Sequence, residues 1–309
     1  QNVFIGSCAG WSNVDGYRNV FIGSGSGFYT DLGQNNIFIG TESGTLNTNG
    51  SNNIFVGLYS GYSSESGVNN VFVGTETGKN SVDGSYNTFL GYKSGFSSNS
   101  SYNTFLGYET GVLTTANYNS FIGFQAGNLN TSGANNVFLG YQSGYSNQTG
   151  SNNVIIGNLS GFLGTNGHSN VFLGDSTGHG NTSSYNVFIG KGSGKVNSGE
   201  YNTFMGFRAG LMNANGSNNV FIGNETGRNS TTGSYNTFLG YKAGLSSNSS
   251  YNTFLGYETG VSTTANYNLF IGYQAGNKNT SGTSNVLLGY LAGFHNQSGA
   301  NNVIIGNVA

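Results

Sequence analysis

A short repeated unit runs through the whole chain and constrains its fold more than any other feature. The unit reads Asn-(Val/Thr)-Phe-(Ile/Leu)-Gly-x-x-(Ala/Ser/Thr)-Gly, followed by a polar linker, and it recurs every sixteen or seventeen positions. An Asn always stands four positions before the central Gly, and a second Gly stands four positions after it in every unit but the last. The nineteen central glycines are Gly6, Gly23, Gly40, Gly57, Gly74, Gly91, Gly107, Gly123, Gly140, Gly157, Gly174, Gly190, Gly206, Gly223, Gly240, Gly256, Gly272, Gly289 and Gly306.

This period predicts an all-β architecture. The unit is too short for a helical repeat, and β-branched and aromatic residues before a Gly are typical of a strand that enters a turn. Each unit has room for two short strands and two turns, so the units are expected to stack as the coils of a parallel β-solenoid. Nineteen coils spaced about 4.8 Å apart would make a rod of roughly 90 Å.

The repeat continues without a change of composition. We therefore expect a single continuous solenoid array over residues 1–309, which would be a segment of a longer fibre protein. A longer duplication is superimposed on the repeat, because the sequence from Gly84 nearly recurs from Gly233. The offset corresponds to nine units.

Composition excludes several kinds of partner. Charged residues make up 6% of the chain, against about 25% in an ordinary soluble domain. Nine Lys and Arg spread over nineteen units cannot form a basic track, so no nucleic-acid partner is expected. No apolar run is long enough to cross a bilayer, so no membrane insertion of this segment is expected.

The single cysteine, Cys8, cannot form an internal disulfide and is expected to be an exposed substitution.

The strand of each unit is apolar on both faces. The residues three and one before the central Gly share one face, and the Phe two before it points to the other. A thin coil can bury only one face, so the sequence predicts that the Phe face packs against copies of the same chain around a shared axis. The predicted oligomer interface consists of Phe4, Phe21, Phe38, Phe55, Phe72, Phe89, Phe105, Phe121, Phe138, Phe172, Phe188, Phe204, Phe221, Phe238, Phe254 and Phe270.

The unit resembles two kinds of fibre repeat. Asn2-Val3-Phe4-Ile5-Gly6 is similar to the Asn-Ser-Val-Ala-Ile-Gly signature of trimeric autotransporter adhesin heads of the YadA type. Asn236-Thr237-Phe238-Leu239-Gly240-Tyr241-Lys242-Ala243-Gly244 is similar to the Asn-Thr-Ala-Val-Gly-Tyr-Gln-Ala repeats of phage tail fibres and bacterial surface fibres. The resemblance implies a left-handed parallel β-roll, a homotrimer, and attachment at an extracellular cell surface or on a virion fibre.

Residues suited to catalysis or metal binding do not recur in the repeat. The four Asp and seven Glu fall at different repeat positions, and His168, His179 and His295 lack metal-ligand spacing. The stretch from Gly190 to Lys195 looks like a phosphate loop but lacks its spacing and its trailing Ser or Thr. We therefore expect no enzyme activity and no cofactor.

One repeat position indicates a binding site. The residue directly after the central Gly is polar in most of the early units and aromatic in two blocks of four consecutive units. If the units stack in register, each block becomes an aromatic ladder, which either stabilises the coils by stacking or binds a glycan or protein of a host surface. The two ladders are Tyr92, Tyr108, Phe124 and Tyr141, and Tyr241, Tyr257, Tyr273 and Tyr290.

Three classes of function compete at this point. The leading one is a structural or adhesive segment of a trimeric surface fibre, either of a cell or as the shaft of a phage tail fibre. The second is a protein that binds ice or another crystal surface, which needs one flat face with a strict polar repeat. The third, a carbohydrate-active solenoid enzyme, is disfavoured by the shortage of carboxylates.

Overall fold

The computed structural model describes residues 1–309 as two compact units, residues 1–153 and 154–309. Each unit is a parallel β-solenoid in which every coil contributes one three-residue strand. The strands of the first unit are β1 Val3–Ile5, β2 Val20–Ile22, β3 Ile37–Ile39, β4 Ile54–Val56, β5 Val71–Val73, β6 Thr88–Leu90, β7 Thr104–Leu106, β8 Ser120–Ile122 and β9 Val137–Leu139.

The second unit repeats the arrangement with ten strands. They are β10 Val154–Ile156, β11 Val171–Leu173, β12 Val187–Ile189, β13 Thr203–Met205, β14 Val220–Ile222, β15 Thr237–Leu239, β16 Thr253–Leu255, β17 Leu269–Ile271, β18 Val286–Leu288 and β19 Val303–Ile305. The expected solenoid is confirmed, but each coil has one strand where the sequence suggested two, because the rest of the coil is turn. The structure contains no helix that could span a bilayer.

Neighbouring strands of each unit pair in parallel and in register. Phe21 lies opposite Phe38, for example, and Phe221 lies opposite Phe238. The repeat therefore places each sequence position in a column along the coils, and chemically identical residues become neighbours in space.

The Phe column fills the inside of the coils. Of the sixteen Phe residues predicted to form an oligomer interface, fifteen are at most 2% exposed, and only Phe4, in the first coil, is open to solvent. Their rings stack with centroids 4.7–5.0 Å apart in the first unit, as between Phe121 and Phe138 or between Phe4 and Phe21. The prediction that this face is outward was wrong, because a side chain enclosed by its own coil cannot contact a second chain.

Two glycines of the repeat explain why the Phe rings fit inside. The central Gly40 has φ +134°, and a Cβ there would collide with the carbonyl oxygen of Gly57 in the next coil. Gly44, with φ +61°, faces the ring of Phe38, and a Cβ there would lie 2.5 Å from Cδ2 of that ring. The first glycine therefore permits close stacking of the coils, and the second leaves the space that the ring occupies.

The repeated Asn forms a buried ladder beside the Phe column. The backbone N–H of Asn36 donates to Oδ1 of Asn19 at 2.9 Å, and Nδ2 of Asn36 donates to the carbonyl of Gly50 at 2.8 Å. The N–H of Asn53 in turn donates to Oδ1 of Asn36. The backbone N–H of Asn36 thus bonds to the coil before it, and its side-chain amide bonds to the coil after it. The side chain therefore satisfies buried backbone groups that the short strands leave unpaired.

Candidate binding face

The outward face of each coil carries the residues three and one before the central Gly. In β3 these are Ile37 and Ile39, each 37% exposed, with the buried Phe38 between them. Side chains therefore alternate between the two faces of the strand as the sequence predicts. The Phe lies inside the coil and the aliphatic pair outside, which is the reverse of the expected placement. Along most coils the outward pairs are aliphatic, and we call them the aliphatic columns.

The first aromatic ladder forms as the sequence predicted. Tyr92, Tyr108, Phe124 and Tyr141 stack one above another with ring centroids 5.1 Å apart. All four side chains are exposed, by 38–49%. In the second unit the rings of Tyr241, Tyr257, Tyr273 and Tyr290 stack with centroids 5.0–5.1 Å apart.

A second aromatic ladder, which the sequence analysis missed, lies on the other side of the strand. Tyr86, Tyr102 and Tyr118 stand directly before the Asn of consecutive coils and stack at 5.0 and 5.1 Å. They are 48–57% exposed. The second unit has the matching ladder of Tyr235, Tyr251 and Tyr267, and a further stacked pair of Tyr185 and Tyr201. The recurrence of Tyr before Asn in the same units was the signal that could have revealed it.

The strand face that lies between the two ladders differs in composition from the strand face of the other coils. In the three coils of the first unit that carry both ladders, the outward residue three before the central Gly is Thr88, Thr104 or Ser120, in place of Val or Ile. In the second unit the same position carries Thr237, Thr253 and the apolar Leu269. The aliphatic columns are thus interrupted by a patch of phenols, hydroxyls and one column of Leu and Ile, which we call the Tyr patch.

Polar groups border the Tyr patch. Nε2 of Gln125 donates to Oε2 of Glu109 at 2.8 Å, and Nε2 of Gln142 donates to Oε1 of Gln125 at 2.8 Å. At the start of the ladder, Nζ of Lys93 lies 5.1 Å from the ring centroid of Tyr92, and a hydrogen bond to Tyr92 raises the pKa of Lys93. Desolvation, followed by the charge of Glu109, raises the pKa of the Tyr108 phenol, so the phenol remains protonated at neutral pH and can donate a hydrogen bond.

The stacking limits what the ladders can bind. The ring planes within a ladder differ by only 1–24°, so each inner ring has a neighbour over both of its faces. The phenol edges and the outermost rings remain open to solvent. The patch therefore offers a row of hydroxyl groups at the spacing of the coils, rather than a series of open aromatic faces.

The remaining candidates from the sequence lie apart from this face. Cys8 is a free, exposed thiol, as expected. The ring of His179 is tilted against that of Phe162 with centroids 5.4 Å apart, and burial, together with the nearby Lys195, lowers the pKa of His179. No group of three or more His, Cys, Asp or Glu is placed to hold a metal ion.

Comparisons with protein-family models, with curated proteins and with solved structures found no match to this chain. The class that the structure itself defines is that of a parallel β-solenoid built from short coils of nearly constant length, which agrees with β-roll repeats. The resemblance to adhesin heads and tail fibres remains a prediction.

Proposed function

We propose that this chain is a structural and adhesive segment of a homotrimeric extracellular fibre, in which three left-handed β-rolls pack through their aliphatic columns. The observation that carries the proposal is the exposure of these columns on coil after coil. Ile37 and Ile39, and likewise Val137 and Leu139, remain 37–42% exposed. Over nine coils the exposed aliphatic area is on the order of 1,000 Å², beyond the few hundred Å² that a monomer usually exposes.

Two features support self-association over binding to a different protein. Each column has the same chemistry from coil to coil, so an identical chain offers the same spacing of ridges and grooves. The face also carries few charges, so a partner gains little from electrostatic complementarity and much from burial of apolar surface.

The Tyr patch is assigned to attachment in this proposal. In the coils of the Tyr patch, hydroxyl groups stand where other coils carry aliphatic side chains. This weakens the proposed apolar contact between chains at these coils and presents hydrogen-bond donors and acceptors. A glycan or other polymer of a cell surface, rich in hydroxyl groups, fits this chemistry.

Mass measurement by light scattering tests the assembly. The wild-type chain of 32.2 kDa is expected to elute at three times that mass. Ile37→Glu combined with Ile39→Glu places charge in the apolar contact and is expected to shift the population toward single chains. Asn49→Glu, at an exposed site away from the columns, is the control and should leave the trimer intact. A wild-type mass of 32.2 kDa at high concentration would overturn the trimer.

Binding to a glycan array tests attachment. Wild type is expected to bind a subset of glycans, and a variant with Ser at Tyr86, Tyr102, Tyr118 and their counterparts Tyr235, Tyr251 and Tyr267 is expected to lose them while keeping its circular dichroism spectrum. Unchanged binding by the folded variant would remove the Tyr patch from the proposal.

A further inference from the structure

A groove in the second unit lies where the outer side-chain columns are broken by a glycine. The residue two after the central Gly carries a side chain in all the other coils of the unit, for example Ser176 before the break and Arg208 after it. At the break stands Gly192, with φ +67°, which lines a cavity of about 350 Å³. A Cβ there would lie 3.4 Å from Cδ1 of Leu211, an ordinary contact, so packing does not require the glycine. Its consequence is an open space beside the backbone.

Four of the nine Lys and Arg residues of the chain line this groove. They are Lys191, Lys195, Arg208 and Arg228. No carboxylate lines it, and this concentration of charge is exceptional in a chain with a net charge of -2. The stretch from Gly190 to Lys195 lacks the spacing of a phosphate loop, but the structure brings its two lysines together with two arginines from the following coils.

The carboxylates nearby leave positive charge uncompensated. Nζ of Lys191 lies 3.0 Å from Asp175, and Glu225 pairs with Nη1 of Arg228 at 2.8 Å and lies 3.9 Å from Nη1 of Arg208. Lys195 has no carboxylate within 4.0 Å. An anion in the groove would therefore find donors that the chain itself does not use.

Apolar side chains complete the lining. Val196, Leu211 and Met212 lie in the same cavity as the four cations, and Val196 and Met212 are 43% and 42% exposed. A small inorganic ion would leave these surfaces uncovered. A ligand with an anionic group on a ring that has an apolar C–H face would use both parts of the lining.

We propose that the groove at Gly192 binds an acidic sugar, with its carboxylate or sulfate held by the lysines and arginines and its pyranose ring against Val196, Leu211 and Met212. Every lining residue belongs to one chain, so the site does not depend on the trimer or on the Tyr patch. The proposal goes beyond the adhesive role by assigning a second, charged site to the chain.

Titrations with matched small probes test the chemistry. Methyl glucuronide is expected to bind at least tenfold more tightly than methyl glucoside, which differs in carrying no carboxylate, and more tightly than inorganic sulfate, which has no ring. Saturation-transfer NMR on the full chain measures all three. Equal affinity for the neutral sugar, equal affinity for sulfate, or no binding of the glucuronide would each overturn the proposal. Binding should also weaken in high salt, because screening reduces attraction at exposed charges.

A side chain that fills the groove tests whether the sugar binds there, without removing a charge. Gly192→Asn is expected to weaken glucuronide binding at least tenfold, since Asn accepts the left-handed backbone and its side chain enters the cavity. Gly25→Asn is the matched control, because Gly25 stands at the same repeat position in the first unit, where the cavity is lined by Glu42 and by no Lys or Arg. The control should bind as wild type does. Equal binding by Gly192→Asn and wild type would place the site elsewhere.

The variant Lys195→Gln tests the contribution of one positive charge to binding without a change in the stability of the fold. Lys195 has no ion pair to lose, so its removal should weaken glucuronide binding several-fold and leave the denaturation midpoint unchanged. Unchanged affinity in this variant would contradict the role of the uncompensated charge.

Discussion

At the scale of the residue, the repeat depends on backbone conformations that few side chains tolerate. The residue before each Asn and the residue two after each central Gly both lie in the left-handed region, as at Asn35 with φ 58° and Glu42 with φ 54°. Asn is common at the first of these corners because its amide tolerates this region. The tyrosines there, such as Tyr86 with φ 60°, lack that advantage, and stacking with neighbouring rings offsets the strain.

Gly44→Ala is predicted to destabilise the first unit strongly. The substitution adds strain at φ +61° and drives Cβ into the ring of Phe38, which cannot yield because it is stacked between Phe21 and Phe55. We expect a loss of about 3 kcal/mol from strain and overpacking combined. Denaturant unfolding followed by circular dichroism measures it.

Gly25→Ala is the control for that prediction. It introduces a similar strain at φ +67°, but its nearest neighbour is Cγ of Glu42 at 3.3 Å, in a side chain that can move. We expect a loss of about 1 kcal/mol, from strain alone. Equal losses in the two variants would show that the contact with the Phe ring is unimportant.

At the scale of the element, each ladder is a column of contacts between successive coils. The stacked tyrosines before the Asn belong to the shorter type of coil and stand sixteen positions apart, as do Tyr86 and Tyr102 or Tyr235 and Tyr251. Their spacing is one residue shorter because the linker is shorter, and five of the eight coils with a Tyr before the Asn carry Thr three positions before the central Gly. The Tyr patch is thus formed by consecutive coils of this shorter type, and a patch with both ladders occurs once in each unit.

Tyr102→Ser is predicted to cost about twice as much stability as Tyr86→Ser. Tyr102 stacks on Tyr86 and on Tyr118, at 5.0 and 5.1 Å, whereas Tyr86 has only the one partner. At about 0.5–1.5 kcal/mol for each stacked pair, the expected losses are about 2 and about 1 kcal/mol. Tyr102→Asn should cost less than Tyr102→Ser, because Asn suits the left-handed corner. Equal values for all three variants would contradict a stacking contribution.

Glu76→Gln is predicted to reduce stability at neutral pH and to have no effect in acid. A hydrogen bond from Lys79, 2.7 Å away, and the charge of Lys93 lower the pKa of Glu76 below its usual 4.5. Since the pKa is lower in the folded chain, the stabilisation is complete above 4.5 and disappears as the pH falls through the folded-state value. The expected difference at pH 7 is below about 1 kcal/mol, because the pair is partly solvated.

Unfolding midpoints of the two proteins between pH 2 and 7 measure this difference. In a Lys79→Gln background the effect of Glu76→Gln should shrink. A difference that persists at pH 2, or that is unchanged without Lys79, would show that the ion pair is not its source.

At the scale of the whole molecule, the repeat makes stability a property of neighbouring coils. Within each unit, a strand pairs with the strands directly before and after it in sequence, so these contacts do not require a particular total number of coils. Removing one whole coil should therefore leave the rest of the unit able to stack.

Deletion of residues 37–53 is predicted to give a folded protein. The deletion joins Asn36 directly to Ile54, so β4 takes the place of β3 opposite β2 and the Asn and Phe columns continue. The circular dichroism spectrum should keep its shape, with a small decrease in the thermal midpoint. Deletion of residues 37–44 is the control, and it should disrupt folding because it leaves half a coil. Equal tolerance of both deletions would contradict the requirement for register.

The sequence by itself determined the period, the strand before each central Gly and the columns that stacking would create. The spacing of Asn, Phe and Gly is local information, and a parallel in-register stack is the arrangement that brings identical positions together. The aromatic ladder at Tyr92 could be predicted for the same reason.

Which face of the strand is inside was decided only by the tertiary structure. The alternation of side chains shows that Phe38 points away from its neighbours Ile37 and Ile39. It does not show which of the two faces is enclosed by the coil. The choice depends on Gly44, six positions further along, whose missing side chain leaves room for the ring once the coil has closed. The groove at Gly192 likewise appears only when three coils are stacked, because its cations are spread from Lys191 to Arg228 along the chain.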